Sequence, residues 1–241
     1  DGVNVTLPLF GTLSAEPSAH DIDQVAVVKG GANAVDFNRA GGFLMNSISR
    51  SGTNAFHASL RYQAQPESLT ADRDNAGSVF EEDEAWWIGS VGGPILRDRL
   101  YFYASYFAPN STRESRSNLY GEVPDFESDR DELFGKLTFA PTDSLLFHAS
   151  YRTSERTDSG ASVSTAASAG STSNGSEATL DIGIFEASWV IDERSFASFR
   201  FTDFENQTLG RPDNRFAFAP RLDGSVDLDI AGLDTQGFIV V

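Results

Sequence analysis

Polar and apolar residues alternate along most of the chain with a period of two, which marks strands whose two faces meet different surroundings. Phe56, Ala58, Leu60 and Tyr62 fall on one face, and His57, Ser59, Arg61 and Gln63 on the other. Leu145, Phe147, Ala149 and Tyr151 likewise oppose Leu146, His148, Ser150 and Arg152, and Ala197, Phe199 and Phe201 oppose Ser198, Arg200 and Thr202. Followed along the chain, the pattern predicts seven strands, over 55–64, 85–95, 100–108, 132–140, 144–156, 179–191 and 195–206.

The connections between these strands alternate in length. Long polar stretches cover 65–84, 109–131 and the Ser-, Thr-, Gly- and Ala-rich 157–178, and the chain from Gln207 reads as a further loop up to the apolar ending 238–241. Between them lie three tight turns, Arg97-Asp98-Arg99, Pro141-Thr142-Asp143 and Asp192-Glu193-Arg194. Strands of about 9–13 residues approach the length that a tilted strand needs to cross a bilayer. Short turns at one end and long loops at the other are the habit of outer-membrane barrels, whereas nothing forces a soluble sandwich to alternate its loops. The fold class expected is therefore mainly β, a partial antiparallel transmembrane β-barrel. Seven strands cannot close a bacterial barrel, and an open edge in lipid would leave backbone groups unpaired. Continuation beyond Val241, or completion by another chain, is expected.

The first 54 residues lack this amphipathic rhythm. Residues 22–28 read as a short strand, Lys29-Gly30-Gly31 as a turn, 32–40 as a short helix or loop, and 43–48 as a second strand.

Composition sharpens the picture in three ways. A formal net charge of −17 excludes nucleic acid as a partner, since phosphate binding needs clustered Lys and Arg. The absence of Cys removes disulfides and thiolate metal sites. No run approaches the roughly 20 apolar residues of a spanning helix, while 19 Phe and an aromatic share of 12% favour strands and interfacial girdles. The start, Asp1-Gly2-Val3-Asn4, has neither the basic start nor the apolar core of a signal peptide.

Two stretches carry a resemblance. The first comprises Val25, Val27, Lys29-Gly30, Arg39-Ala40, Gly41-Gly42, Asn46, Arg50 and Ser51-Gly52-Thr53-Asn54, preceded by Asp1-Gly2-Val3. The second is Gly92-Gly93-Pro94-Ile95-Leu96-Arg97-Asp98-Arg99-Leu100-Tyr101-Phe102-Tyr103. In this order they resemble the end of the plug domain and the second and third barrel strands of TonB-dependent outer-membrane receptors, of the Oar-like branch. Asn38 and Phe43 stand where that family usually has glycine. The resemblance implies that 1–54 is the C-terminal part of a plug and 55–241 the first barrel strands and extracellular loops. It implies import of an unidentified ligand across the outer membrane, contact with lipid and lipopolysaccharide, and a TonB-type energy-coupling complex reached through a segment upstream of Asp1.

On that reading Arg39 and Arg50 are expected to anchor the plug to carboxylates on barrel strands, Glu186 being one candidate. Asp72, Asp74 and Glu81 to Glu84, and Asp125, Glu127, Asp129 and Asp131, offer the ligands Ca²⁺ prefers, but neither spacing is a calcium loop and solvated charge is the simpler reading. His20, His57 and His148 are scattered, so no metal site is expected. No nucleophile elbow or triad pattern accompanies the serines, and neither catalysis nor a cofactor is expected. Asn110-Ser111-Thr112 and Asn206-Gln207-Thr208 match the glycosylation pattern by chance. Two alternatives to transport remain: an outer-membrane barrel that presents its loops for adhesion, and a soluble β-rich binding module.

Overall fold

The computed structural model of the chain describes residues 18–29, 43–69, 82–114, 125–161 and 174–212. Nine strands run through them: β1 (Ile22–Lys29), β2 (Phe43–Ser49), β3 (His57–Gln65), β4 (Glu82–Leu96), β5 (Leu100–Arg113), β6 (Phe126–Thr142), β7 (Leu145–Ala161), β8 (Asn174–Asp192) and β9 (Ser195–Pro212). Only two 3-10 turns, Ala19–Asp21 and Glu67–Leu69, interrupt the strand content, and no helix among the described residues is long and apolar enough to cross a membrane.

Strands β1 and β2 pair antiparallel as a separate hairpin, and β3 to β9 form one antiparallel meander in sequence order. All seven strands predicted from the alternation are present. The sheet is open, with β3 and β9 at its edges. Three tight turns join β4 to β5, β6 to β7 and β8 to β9, and the register shifts beside each of them, between Pro94 and Leu96, Phe139 and Thr142, and Val190 and Asp192. Bulges at one rim bend strands and add twist there.

Apart from β3, which runs from His57 to Gln65, the strands are longer than predicted. β5 reaches Arg113, β6 starts at Phe126, β7 reaches Ala161 and β8 starts at Asn174, so parts of 109–131 and 157–178 that read as loop are ladder. Apart from Phe126, these extensions are polar on both faces and lack the alternation that marks a strand. Side-chain pairs across the ladder hold them instead: Asn110 with Asp129, Ser128 and Ser176 both donating to Asp158, and the Arg113 guanidinium 4.8 Å from the Phe126 ring centroid. In the hairpin, Lys29 belongs to β1 and not to a turn, and Phe43 lies in extended strand opposite it, so no left-handed backbone is asked of that phenylalanine.

The two faces of the large sheet differ in kind. One receives the turn at Ala19–Asp21 and the base of the hairpin at Ser49, and buries Tyr103, Ser105, Glu132, Phe134, Lys136, Arg152 and Ser154. The other is bare and presents Leu60, Trp87, Val91, Leu133, Leu137, Tyr151, Phe185, Trp189, Phe199 and Phe201 to the outside. Cross-strand ring contacts run along that bare face from Phe139 to Phe147, Phe185 and Phe199, at centroid separations of 6.1, 6.2 and 6.3 Å. Nearer the long-loop rim, Tyr62 packs on Trp87 at 4.6 Å. The Tyr106 and Tyr151 hydroxyls there donate to Asp131 and Asp181, so each ring lies on the apolar band while its polar tip meets a carboxylate.

Candidate functional site

The chain enters the covered face at Ser18, whose hydroxyl accepts from the His20 N–H and opens the short 3-10 turn that ends at Asp21. That turn delivers the Asp21 carboxylate, 2% exposed, onto β5 and β7. Oδ1 accepts from the Ser105 hydroxyl and, at 3.3 Å, from the Tyr103 hydroxyl. Oδ2 accepts from Arg152 Nη2 at 3.1 Å. The donors share a face because Tyr103 and Ser105 are two apart on β5, and the ladder aligns Ser105, Phe134 and Arg152 in one row.

Arg152 is fixed from its other side. Nη1 donates to Glu132, and the guanidinium carbon stands 4.5 Å from the Phe134 ring centroid. Glu132, 1% exposed, also accepts from Arg130 and, at 3.4 Å, from the Ser18 backbone N–H. Arg130 Nε is tied to the Ser154 hydroxyl at 3.0 Å. Among the described residues two carboxylates thus meet two guanidiniums, and each oxygen of Asp21 and of Glu132 has a donor. Such balance is what a desolvated charge requires: removing one partner of a buried pair typically costs about 3–5 kcal/mol.

A second tie lies one row along. Lys136 Nζ donates to the Ser49 carbonyl at 3.1 Å and to its hydroxyl at 3.0 Å, at the exit of β2. The Arg50 N–H then closes the hairpin mouth on the Asp21 carbonyl at 2.7 Å. The entering and leaving ends of the hairpin are therefore both pinned to β5, β6 and β7.

A third seam brings the two sequence motifs together. Asn54 clips the turn at 97–99: its Nδ2 donates to Asp98 Oδ1 at 2.7 Å, and its Oδ1 accepts from the Asp98 N–H at 2.9 Å. Asp98 has a φ of 62°, a left-handed conformation that Asp tolerates better than most residues. Gly52 presses on β5, where a Cβ would stand 2.2 Å from the Phe102 carbonyl oxygen. Gly93 lies beneath the Phe56 ring, and a Cβ on it would come within 2.4 Å of that ring. Gly92, Gly93 and Pro94 are all buried.

Between the hairpin and β3 to β5 lies a cavity of about 140 Å³, lined by Asp21, Arg50, Arg61, Ser90, Tyr103 and Ser105 among others. A more open cleft of about 570 Å³, between the residues leaving β2 and β3–β4, is lined by Asp23, Ser49, Arg50, His57, Ser59 and Tyr103 among others.

The anchoring residues anticipated from sequence are placed differently. Arg39 lies outside the described residues, as do Gly30, Gly41 and Gly42. Arg50 is exposed, holds the hairpin through its backbone, and faces both cavities. Glu186 pairs with Arg200, its direct neighbour on β9, at 3.2 Å, and not with Arg50. A pairing of Glu186 with Arg39 falls outside the described residues. Asn46 sits opposite Ala26 within the hairpin. Among the described residues the ties use Asp21, Glu132, Arg152 and Lys136, which the motif-based reading missed. A signal was available: Glu132, Lys136 and Arg152 are charges on strands that also carry Phe and Leu, where a two-sided soluble sheet would bury aliphatics. The acidic residues that are described, Glu82 to Glu84 and Asp125 to Asp131, lie on or beside β4 and β6, and no group of three metal-ligating side chains converges among the described residues.

Over 121 residues the chain is 33% identical to the TonB-dependent transporter Oar of Myxococcus xanthus. That similarity covers 47% of this chain and only 11% of the relative, so the chain spans a small part of that protein's length. No family model and no solved structure matches it. The similarity suggests outer-membrane transport, and the strand-rich structure agrees with that class.

Proposed function

We propose that this chain is part of an outer-membrane β-barrel transporter of the TonB-dependent kind. In this reading residues 1–54 form the C-terminal part of the plug, and 55–241 supply the first barrel strands with their extracellular loops. The observation that carries the proposal is the inversion of the large sheet. Buried ions lie on the face that holds the hairpin, and an aromatic-edged apolar band lies on the bare face. A monomer in water rarely exposes an apolar patch beyond roughly 300–600 Å². Lipid as the neighbour removes that difficulty, and aromatic residues at both ends of the band suit the two interfaces. The acidic strand extensions beyond Tyr106 and Tyr151 then stand on the extracellular side, beside lipopolysaccharide, and the tight turns on the periplasmic side. The open edges at β3 and β9 are closed by further strands.

The hairpin, pinned by Asp21 and Ser49, occludes the lumen, and an energy-coupling complex of the TonB type withdraws it to admit a ligand. The similarity to the Myxococcus transporter supports this mechanism. A cysteine at Ser18 in the intact protein tests it in living cells. Labelling by a maleimide small enough to enter the periplasm is expected to fall several-fold when the proton-motive force is collapsed. Unchanged labelling in a protein that fractionates with outer membranes would favour an adhesion barrel. A protein that stays monodisperse without detergent would overturn the membrane assignment.

A further inference from the structure

The ion network is not symmetrical between its two sides. Arg130, Glu132 and Arg152 are held by one another, by Ser154 and by the Phe134 ring, all on β6 and β7. Tyr103 and Ser105 project from the adjacent β5. The segment leading into the hairpin contributes the Asp21 carboxylate and the Ser18 N–H, which donates to Glu132. Without that segment, the described residues of the network on the sheet keep two guanidiniums against one carboxylate, and two hydroxyls and a guanidinium nitrogen face the space of one carboxylate group.

We propose that Tyr103, Ser105 and Arg152 form a carboxylate-binding site of the sheet, of which Asp21 is a tethered occupant. When the hairpin withdraws, the site accepts a carboxylate from a free ligand. The geometry is that of a ligand site: one oxygen shared by two hydroxyls, the other facing a guanidinium nitrogen whose partner nitrogen is already engaged. Burial strengthens each contact and also makes an empty site unfavourable, because Arg152 would be left with unmatched charge. A carboxylate fits better than a metal cation, which the two guanidiniums would repel, and better than a neutral group, which would leave the positive charge unbalanced. That a transported cargo carries the carboxylate rests on the transporter reading; the site itself does not.

The test vacates the site in the intact, detergent-solubilised protein. Asp21→Ala removes the occupant, and formate or acetate is then titrated at constant ionic strength against chloride. A saturable rise in Tm is expected for D21A with carboxylate alone, with none in the wild type, whose site is full. Adding Arg152→Gln should abolish the rise, and adding Ser105→Ala should weaken the apparent affinity about tenfold. Equal responses to carboxylate and chloride, or a response that survives R152Q, would overturn the proposal. Should D21A not fold, Asp21→Asn keeps the shape of the occupant without its charge. Acetate should then compete with the amide and accelerate labelling of Ser18→Cys at least twofold over chloride, and no acceleration overturns the proposal equally. Neither readout involves transport, so failure here leaves the transporter reading standing.

Discussion

Adjacent residues on β6 live in opposite worlds. Glu132, Phe134 and Lys136 are buried, while Leu133 and Leu137, each one step away, are 54% and 46% exposed. β7 repeats the contrast with Arg152 buried and Tyr151 out. In a soluble sheet the burial would run the other way. The comparison teaches that period two alone does not say which face is inside: both faces are specified, one by charge balance and the other by apolarity, and a slip of one residue would exchange them.

The largest effect is expected on the covered face. Arg152→Ala takes the ion partner from Asp21, 2% exposed, and one of two guanidiniums from Glu132, and should destabilise the folded protein by about 3–5 kcal/mol, read from urea unfolding in lipid vesicles. A change below 1 kcal/mol would mean that water already reaches the network. Next comes the bare face. Leu137→Arg should cost about 2–4 kcal/mol if that position lies in the bilayer midplane, and almost nothing if the face is in water. The same unfolding assay separates the two outcomes. The smallest and sharpest contrast uses glycines. Gly52→Ala meets the Phe102 carbonyl, backbone that cannot yield, and should cost about 1–3 kcal/mol as an overpacked contact. Gly135→Ala, on the bare face with nothing within 4 Å of the added carbon, should stay within about 0.5 kcal/mol. Equal effects from the two glycines would break the account of a tight seam beside an open face.

Much of the large sheet was legible in the residues. Alternation such as that from Phe56 to Gln63 marks a strand without knowledge of its neighbours, and the turns read at 97–99, 141–143 and 192–194 fall at or within two residues of those observed at 97–99, 143–144 and 193–194. Strand ends were not legible, because Asn110, Ser128 and Asp158 are polar on a ladder stabilised by their cross-strand partners, and a partner is visible only once the register is known. The buried network was hidden for the same reason. Asp21 and Arg152 lie 131 residues apart, and nothing in the spacing aligns the row from Ser105 through Phe134 to Arg152. The pairing of Glu186 with Arg200 was hidden in the same way, because only the register sets the two opposite each other. The two motifs were recognised separately, but their meeting at Asn54 and Asp98 depends on a fold that brings residue 54 to the turn between β4 and β5.

The hairpin also has a definite response to tension. Its mouth, where Ile22 faces Ser49 and the Arg50 N–H meets the Asp21 carbonyl, is the end at which both chain segments leave. A force drawing Ser18 away from Arg50 therefore loads the pairs one after another, as a zipper opens, and never the whole ladder in shear. Backbone pairing offers little resistance in that geometry, so yield is governed by the side-chain ties at Asp21 and Ser49. Once the zipper has run, the pull reaches residues 50–54, and the two hydrogen bonds between Asn54 and Asp98 are where it is arrested, before the first strand of the large sheet bears any load.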